Sequence, residues 1–375
     1  MNDPRVDRMA KLLVHYSNHI EKGDRVLIEA EPQAEPLVRA CFREVLLAGG
    51  HPHLLISLAG QTTYTGIDDL FLQYATEAQL DYPATFYDLA YQQFESRFRI
   101  HSVSNSKLLM GADKAKLARR SQAMGAVTKV QFQRGAAKEF KWMTTLFPTN
   151  AYAQDTGMSL EEFERFVFSA CHVEDPEEDA VAYWLGVKAE QAKIVERLNG
   201  HESVEVKSPD CEMSFSIKDR IFKSAYGENN MPDGEVFTGP VESSVEGRVR
   251  FSFPAVYQGN EVDGVELVFK EGKVVEATAE RNQEFLDAKL NTDEGARYLG
   301  EFAIGLNYGV KKFSKNILFD EKFGGTIHMA LGAGYLEVGS KNESAIHWDM
   351  VCDMRADAEI RVDGEVFYRD GKVVD

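Results

Sequence analysis

The sequence predicts an α/β domain, residues 1–185, followed by a β-rich α+β domain, residues 186–375. Three observations carry that reading. Before residue 200, short apolar runs alternate with segments whose apolar residues recur every three or four positions. After Gly200 the pattern changes to alternation with a period of two, broken by glycine-containing turns. The length of 375 residues, 44% of them hydrophobic, suffices for two cores at roughly 100–200 residues per domain.

The elements follow in order. Gly23-Asp24 leads into the apolar strand Arg25–Ala30. Pro36 opens a helical stretch over residues 37–48, Gly49-Gly50 ends it, and residues 53–56 form the next strand. This is one βαβ unit with parallel strands. No Gly-x-Gly-x-x-Gly turn follows its first strand, which argues against a dinucleotide there. A strand over 98–103, a helix over 113–124 and a strand over 142–147 come next. Ser159-Leu160-Glu161-Glu162 is a capping box that opens a helix through Phe163, Phe166 and Val167. The acidic stretch 174–179 reads as a solvated loop and helix start, and marks the domain boundary. A helix over 176–198 then ends at Asn199-Gly200.

In the second half, residues 212–217 and 248–253 alternate as strands. Strands over 265–269 and 274–279 flank the hairpin turn Lys270-Glu271-Gly272-Lys273, and Arg369-Asp370-Gly371-Lys372 turns a similar hairpin near the end. Helices are expected over Gln283–Leu290 and over 293–306, the latter carrying Glu301.

Composition excludes several classes. Sixty acidic against 42 basic residues give a formal charge of −18, which repels nucleic acid and anionic membranes and favours cations. The longest apolar runs reach eight residues, against about 20 for a membrane-spanning helix. The first five residues carry no apolar leader, so a cytoplasmic protein is expected. Cys41, Cys171, Cys211 and Cys352 form no Cys-x-x-Cys pair and read as buried thiols.

Chemistry concentrates late in the chain. Of nine histidines, seven lie in the first 201 residues without patterned acidic companions; His15 and His19 share a helix face but enclose no zincin glutamate. His347 and Asp349 stand two apart on a strand and so face one side. That spacing suits a shared cation and equally a hydrogen-bonded core pair. His328 lies in a glycine-rich apolar strand, ordinarily the place of a satisfied core residue, though glycines also let a ligand approach. Tyr335 follows it. Glu301 stands among Leu299, Phe302 and Ala303, a setting in which a carboxylate wants a charged partner, although a glutamate taken alone is ordinarily solvated. Glu235 follows a Pro-Asp-Gly turn into a strand. Together, two histidines and several carboxylates suit zinc, cobalt or manganese, without choosing among them.

These segments resemble the thermophilic metalloaminopeptidase family, the aminopeptidase T/S-like leucyl aminopeptidases. The resemblance rests on residues 231–238, on 295–301, on Phe319-Asp320-Glu321-Lys322 with Gly325-Thr326-Ile327-His328, and on His347-Trp348-Asp349. It implies a homodimeric metalloaminopeptidase acting on short peptides through a water activated by two divalent ions per subunit. The implied ligands are Glu235, Glu301, His328, His347 and Asp349, with Glu301 bridging. It puts Glu321 and Tyr335 close to the ions, where Glu321 would be the general base and Tyr335 the oxyanion donor. The alternatives are another binuclear metallohydrolase, such as an amidase, and a non-catalytic peptide-binding relative.

Overall fold

The computed structural model describes residues 3–374. The leader expectation therefore rests in part on Met1 and Asn2, outside the described residues. Two compact units divide the chain, the first running to Tyr183 and taking in Gly227–Pro232, the second comprising Trp184–Tyr226 and the chain from Asp233 onward. No helix among the described residues is long and apolar enough to cross a membrane.

The first unit is built on a five-stranded, wholly parallel sheet. Arg25–Ala30 lies between His51–Ile56 and Ser96–His101, and Lys141–Leu146 and the short Asn230–Met231 extend the sheet beyond Ser96–His101. The helix Glu35–Leu47 connects the first two strands, as the βαβ pattern predicts. Val26, Ile28 and Ala30 are fully buried, as expected of a central strand in a parallel sheet covered on both faces. The helix predicted over 113–124 runs on to Ala136, because Val127 and Gln131 continue its buried stripe and no proline interrupts it. Both halves of the Ser159–Glu162 capping box form. In the acidic stretch, Asp179 accepts the N–H groups of Val181 and Ala182, so the next helix starts at Ala180 rather than at residue 176.

The second unit consists mainly of two antiparallel sheets. The larger has eight strands, from Lys273–Thr278 at one edge to Lys372–Val373 at the other; the smaller has five, ordered His347–Asp353, Thr326–Gly332, Leu299–Gly305, Glu235–Thr238 and Lys223–Ala225. One apolar core takes side chains from both; the rings of Phe215 and Phe302, one from each sheet, lie 4.9 Å apart. Both predicted hairpin turns place two residues at positive φ, Glu271-Gly272 at 49° and 80° and Asp370-Gly371 at 47° and 85°. That is the backbone a two-residue turn needs to match strand twist.

One expectation fails. Residues 293–306 are not a helix: a 3₁₀ turn over Glu294–Arg297 leads into the strand Leu299–Gly305, which carries Glu301. Gly295, Gly300 and Gly305 each disfavour a helix by about 1 kcal/mol. Phe302 and Ile304 alternate with Glu301, Ala303 and Gly305, a period of two rather than 3.6. A side chain at Gly300 would collide with the carbonyls of Gly332 and Ala333.

Candidate metal centre

Strand register decides which side chains of the smaller sheet meet. His347 lies opposite Gly332 and Asp349 opposite Ala330; His328 lies opposite Ala303, Glu301 opposite Ala330, and Glu235 opposite Gly305. Opposed residues share a face. Glu235, Glu301, His328, His347 and Asp349 therefore converge on one face, while Phe302, Ile304, Ile327, Met329, Trp348 and Met350 point the other way into the core. Between the polar residues stand Ala303, Gly305, Ala330 and Gly332, too small to fill the space over the sheet.

The functional atoms face one another. Glu301 turns Oε2 to His347 Nε2 at 3.2 Å and Oε1 to His328 Nε2 at 3.7 Å. His347 Nε2 is also 3.4 Å from Asp349 Oδ1, and His328 Nε2 is 3.5 Å from Glu235 Oε2. Atoms bound at roughly 2.0–2.2 Å to one ion in a tetrahedral or octahedral array lie about 2.8–3.6 Å apart. Three of the four separations fall in that range and the fourth, 3.7 Å, lies just beyond it; all are longer than strong hydrogen bonds. Two overlapping groups, Glu301 with His347 and Asp349, and Glu321 with His328 and Asp349, each hold their ligand atoms within 4.8 Å of one another.

Three further observations test whether these residues fit a metal. Glu235 Oε2 and Asp349 Oδ1 are buried without a hydrogen-bond partner. Buried polar atoms are ordinarily satisfied, so two orphaned carboxylate oxygens, Glu235 Oε2 beside His328 and Asp349 Oδ1 beside His347, leave a place for a cation. His347 gives its Nδ1 hydrogen to the Ala333 carbonyl at 2.7 Å, which leaves the Nε2 lone pair aimed at the site. The third is electrostatic. Burial alone would lower both imidazoles, but the facing carboxylates reverse it and raise His328 to about 9 and His347 to about 12. Burial pushes Glu301 up, yet the two imidazoles outweigh it and hold it at about 2. Burial raises Glu235 to about 8 against the pull of Lys322 and His328. Carboxylates that stabilise cationic imidazoles so strongly would also stabilise a dication, which would displace those protons. The set fits.

Glu321 caps the short helix Ile317–Asp320, and burial, with Asp349 nearby, raises its pKa despite Lys322. Tyr335 stands with its ring 5.2 Å from that of His347 and edge-on to Phe237 at 5.7 Å. Desolvation and the carboxylates of Glu301 and Asp349 keep its proton on. All seven residues singled out in the sequence thus lie in one neighbourhood. Lys322, not singled out in the sequence, also lies there. It is 2% exposed and pairs with Glu235, with Glu321 at 2.9 Å and with Asp233 at 3.5 Å; no local signal marked it, because Asp233 and Glu235 lie far back in the chain. Elsewhere, His15 faces Glu44 on the first unit, and all four cysteines are buried.

Comparison with known proteins gives a consistent result. Residues 2–373 match the family described as thermophilic metalloprotease (M29). The chain is 28% identical over 409 residues to aminopeptidase 2 of Geobacillus stearothermophilus, covering 99% of this chain and 95% of that one. It is 28% identical over 408 residues to aminopeptidase T of Thermus thermophilus, covering 98% and 95%. Aminopeptidase AmpS of Bacillus subtilis is 25% identical over 425 residues, covering 98% of each. In fold, the chain is similar to wild-type AmpT from Thermus thermophilus, with a TM-score of 0.82 at 24% identity over 99% of both chains. A 2,5-dihydroxypyridine dioxygenase from Pseudomonas putida has a TM-score of 0.57 at 14% identity, over 98% of this chain and 96% of that one. At such identities the structural likenesses concern fold alone.

Proposed function

The chain belongs to the thermophilic metalloprotease (M29) family, and from that premise we propose that it is a metal-dependent aminopeptidase releasing N-terminal residues from short peptides. The observation that carries the two-ion form of this reading is Glu301, whose two oxygens face two different imidazoles. A carboxylate so placed would be able to serve two ions at once, should both be bound. Glu235, His328, His347 and Asp349 would supply the remaining ligands, a donor set suited to zinc, cobalt or manganese. When bound, such ions acidify water and polarise a peptide carbonyl.

The chain's own groups do the rest. Glu321, its affinity for protons raised by burial, takes the proton of the attacking water and returns it to the leaving amine. Tyr335, kept protonated, donates to the oxyanion that develops on the scissile carbonyl. The many carboxylates attract the substrate's α-ammonium group, which favours exopeptidase action. All the proposed ligands belong to residues 186–375, the proposed catalytic domain. The free, buried thiols of Cys41, Cys211 and Cys352 support a reducing compartment such as the cytoplasm. A homodimer is part of the same reading and rests on the family resemblance.

The test is leucine-p-nitroanilide hydrolysis before and after chelation, with zinc, cobalt or manganese restored. Activity lost to the chelator and recovered with an ion is expected. Folded protein without turnover under any ion would overturn the reading in favour of another metallohydrolase, such as an amidase.

A further inference from the structure

Lys322 stands directly after Glu321 and is almost wholly enclosed, at 2% exposure. Its ammonium pairs with Glu235 Oε1, lies 2.9 Å from Glu321 Oε1 and reaches Asp233 Oδ1 at 3.5 Å. An ammonium so deeply buried is costly unless carboxylates surround it, and simple charge balance would explain its presence beside Asp233. Charge balance does not explain the geometry at Glu235. There Lys322 engages Oε1, while Oε2 lies 3.5 Å from His328 Nε2 and has no hydrogen-bond partner.

We propose that Lys322 is a positioning residue of the metal centre: by holding one oxygen of Glu235 and one of Glu321, it fixes Glu235 as a ligand through Oε2 alone and aims Glu321 at the same site. The inference rests on the metal-centre reading above. A compact ammonium with three donors suits this task, since it engages several carboxylates as a point charge without entering the space the ions need. It also completes the local electrostatics. Asp233, Glu235, Glu301, Glu321 and Asp349 are five carboxylates, matched in charge by two divalent ions together with one ammonium. Without Lys322, Glu235 could offer both oxygens to one ion and Glu321 would lose its fixed orientation. Second-sphere partners of this kind typically change metal affinity by about 10–100-fold.

The experiment is zinc titration against a chromophoric chelator for the wild type, Lys322→Met and the double variant Lys322→Met/Asp233→Asn, with folding followed by circular dichroism. The double variant removes one cation and one anion and so keeps the charge of the cluster. At least tenfold weaker binding of one zinc in the folded variants is expected. A folded double variant that binds zinc as tightly as the wild type would mean that Lys322 only offsets Asp233, and would overturn the proposal. A crystal structure of the zinc-loaded wild type tests the same point without any variant. It should retain Lys322 on Glu235 Oε1 with only Oε2 on the ion; a bidentate Glu235 released from Lys322 would overturn it. If the wild type binds no zinc, the metal-centre reading itself fails. Wild-type zinc binding with unaltered variants would sink only the role of Lys322.

Discussion

His347 donates its Nδ1 hydrogen to the carbonyl of Ala333 at 2.7 Å, and that one bond decides which imidazole nitrogen faces Glu301 and Asp349. The carbonyl is itself held by close packing, since Gly300 leaves no room for a side chain against it. Gly300→Ala should therefore disturb a ligand it never touches. The added methyl should destabilise the fold by roughly 1–3 kcal/mol through overpacking and weaken zinc binding about tenfold through the displaced partner of His347. Urea unfolding and zinc titration would measure the two effects separately. Loss of stability with unaltered zinc affinity would dissociate Ala333 from the aim of His347.

Glu301 presents a different oxygen to each imidazole, at 3.2 and 3.7 Å. Glu301→Gln replaces one of those oxygens with an amide that cannot ligate, so the variant should hold at most one zinc per chain and lose at least about a hundredfold in kcat, given the several kcal/mol that metal assistance supplies. Equilibrium dialysis with elemental analysis gives the stoichiometry. Two zinc ions retained by the variant would exclude the bridge.

Glu321 can be read in two ways, because it lies near His328 and Asp349 as a candidate ligand and is also the proposed base. Glu321→Gln separates them. As the general base, its loss should lower kcat by about 10²–10⁴ with zinc content unchanged. A variant that loses an ion would make Glu321 a ligand, and one whose kcat falls less than tenfold would have no base to lose.

Much of this centre was legible in the sequence because strands alternate. His347 and Asp349 could be assigned to one face from their spacing alone, and the glycine-rich run around His328 marked a surface with little side-chain bulk. Glu301 was legible as a charged residue in an apolar setting but was assigned to a helix. The glycines of its segment, and the alternation of Phe302 and Ile304 with smaller residues, speak against that helix, and pairing with Thr326–Gly332 on one side and Glu235–Thr238 on the other makes it a strand. The turn Asp363-Gly364, with φ of 48° and 84°, joins a third hairpin by the same chemistry as the two that were expected. Lys322 was beyond reach for another reason: its partners Asp233 and Glu235 lie almost ninety positions earlier, and nothing local indicates a buried lysine.

His101, at the end of the strand Ser96–His101, gives the first unit a predictable response to acid. Burial, reinforced by the charges of Arg99 and Arg97, lowers its pKa from 6.5 to about 3. The unfolded chain therefore binds a proton that the folded chain refuses between those values. Stability from this group is complete above about pH 6.5 and is lost as pH falls toward 3, by about 1.4 kcal/mol per unit. His101→Gln should flatten that dependence. Urea midpoints at pH 7 and pH 4 provide the check, and parallel losses in wild type and variant would show that His101 is not the source.

Tyr335 allows the chemical and structural roles of one side chain to be separated. Its ring packs edge-on against Phe237 and lies 5.2 Å from His347, contacts that Tyr335→Phe preserves. Only the hydroxyl is removed. Because a phenol kept protonated is no ligand for the ions, zinc binding and thermal stability should stay at wild-type values. If the hydroxyl donates to the developing oxyanion, the interaction exists only in the transition state, so kcat should fall while KM changes little. Loss of one such donor typically costs about 10²–10³ in kcat. A fall of less than tenfold would remove Tyr335 from the reaction and leave oxyanion stabilisation to the ions and the backbone.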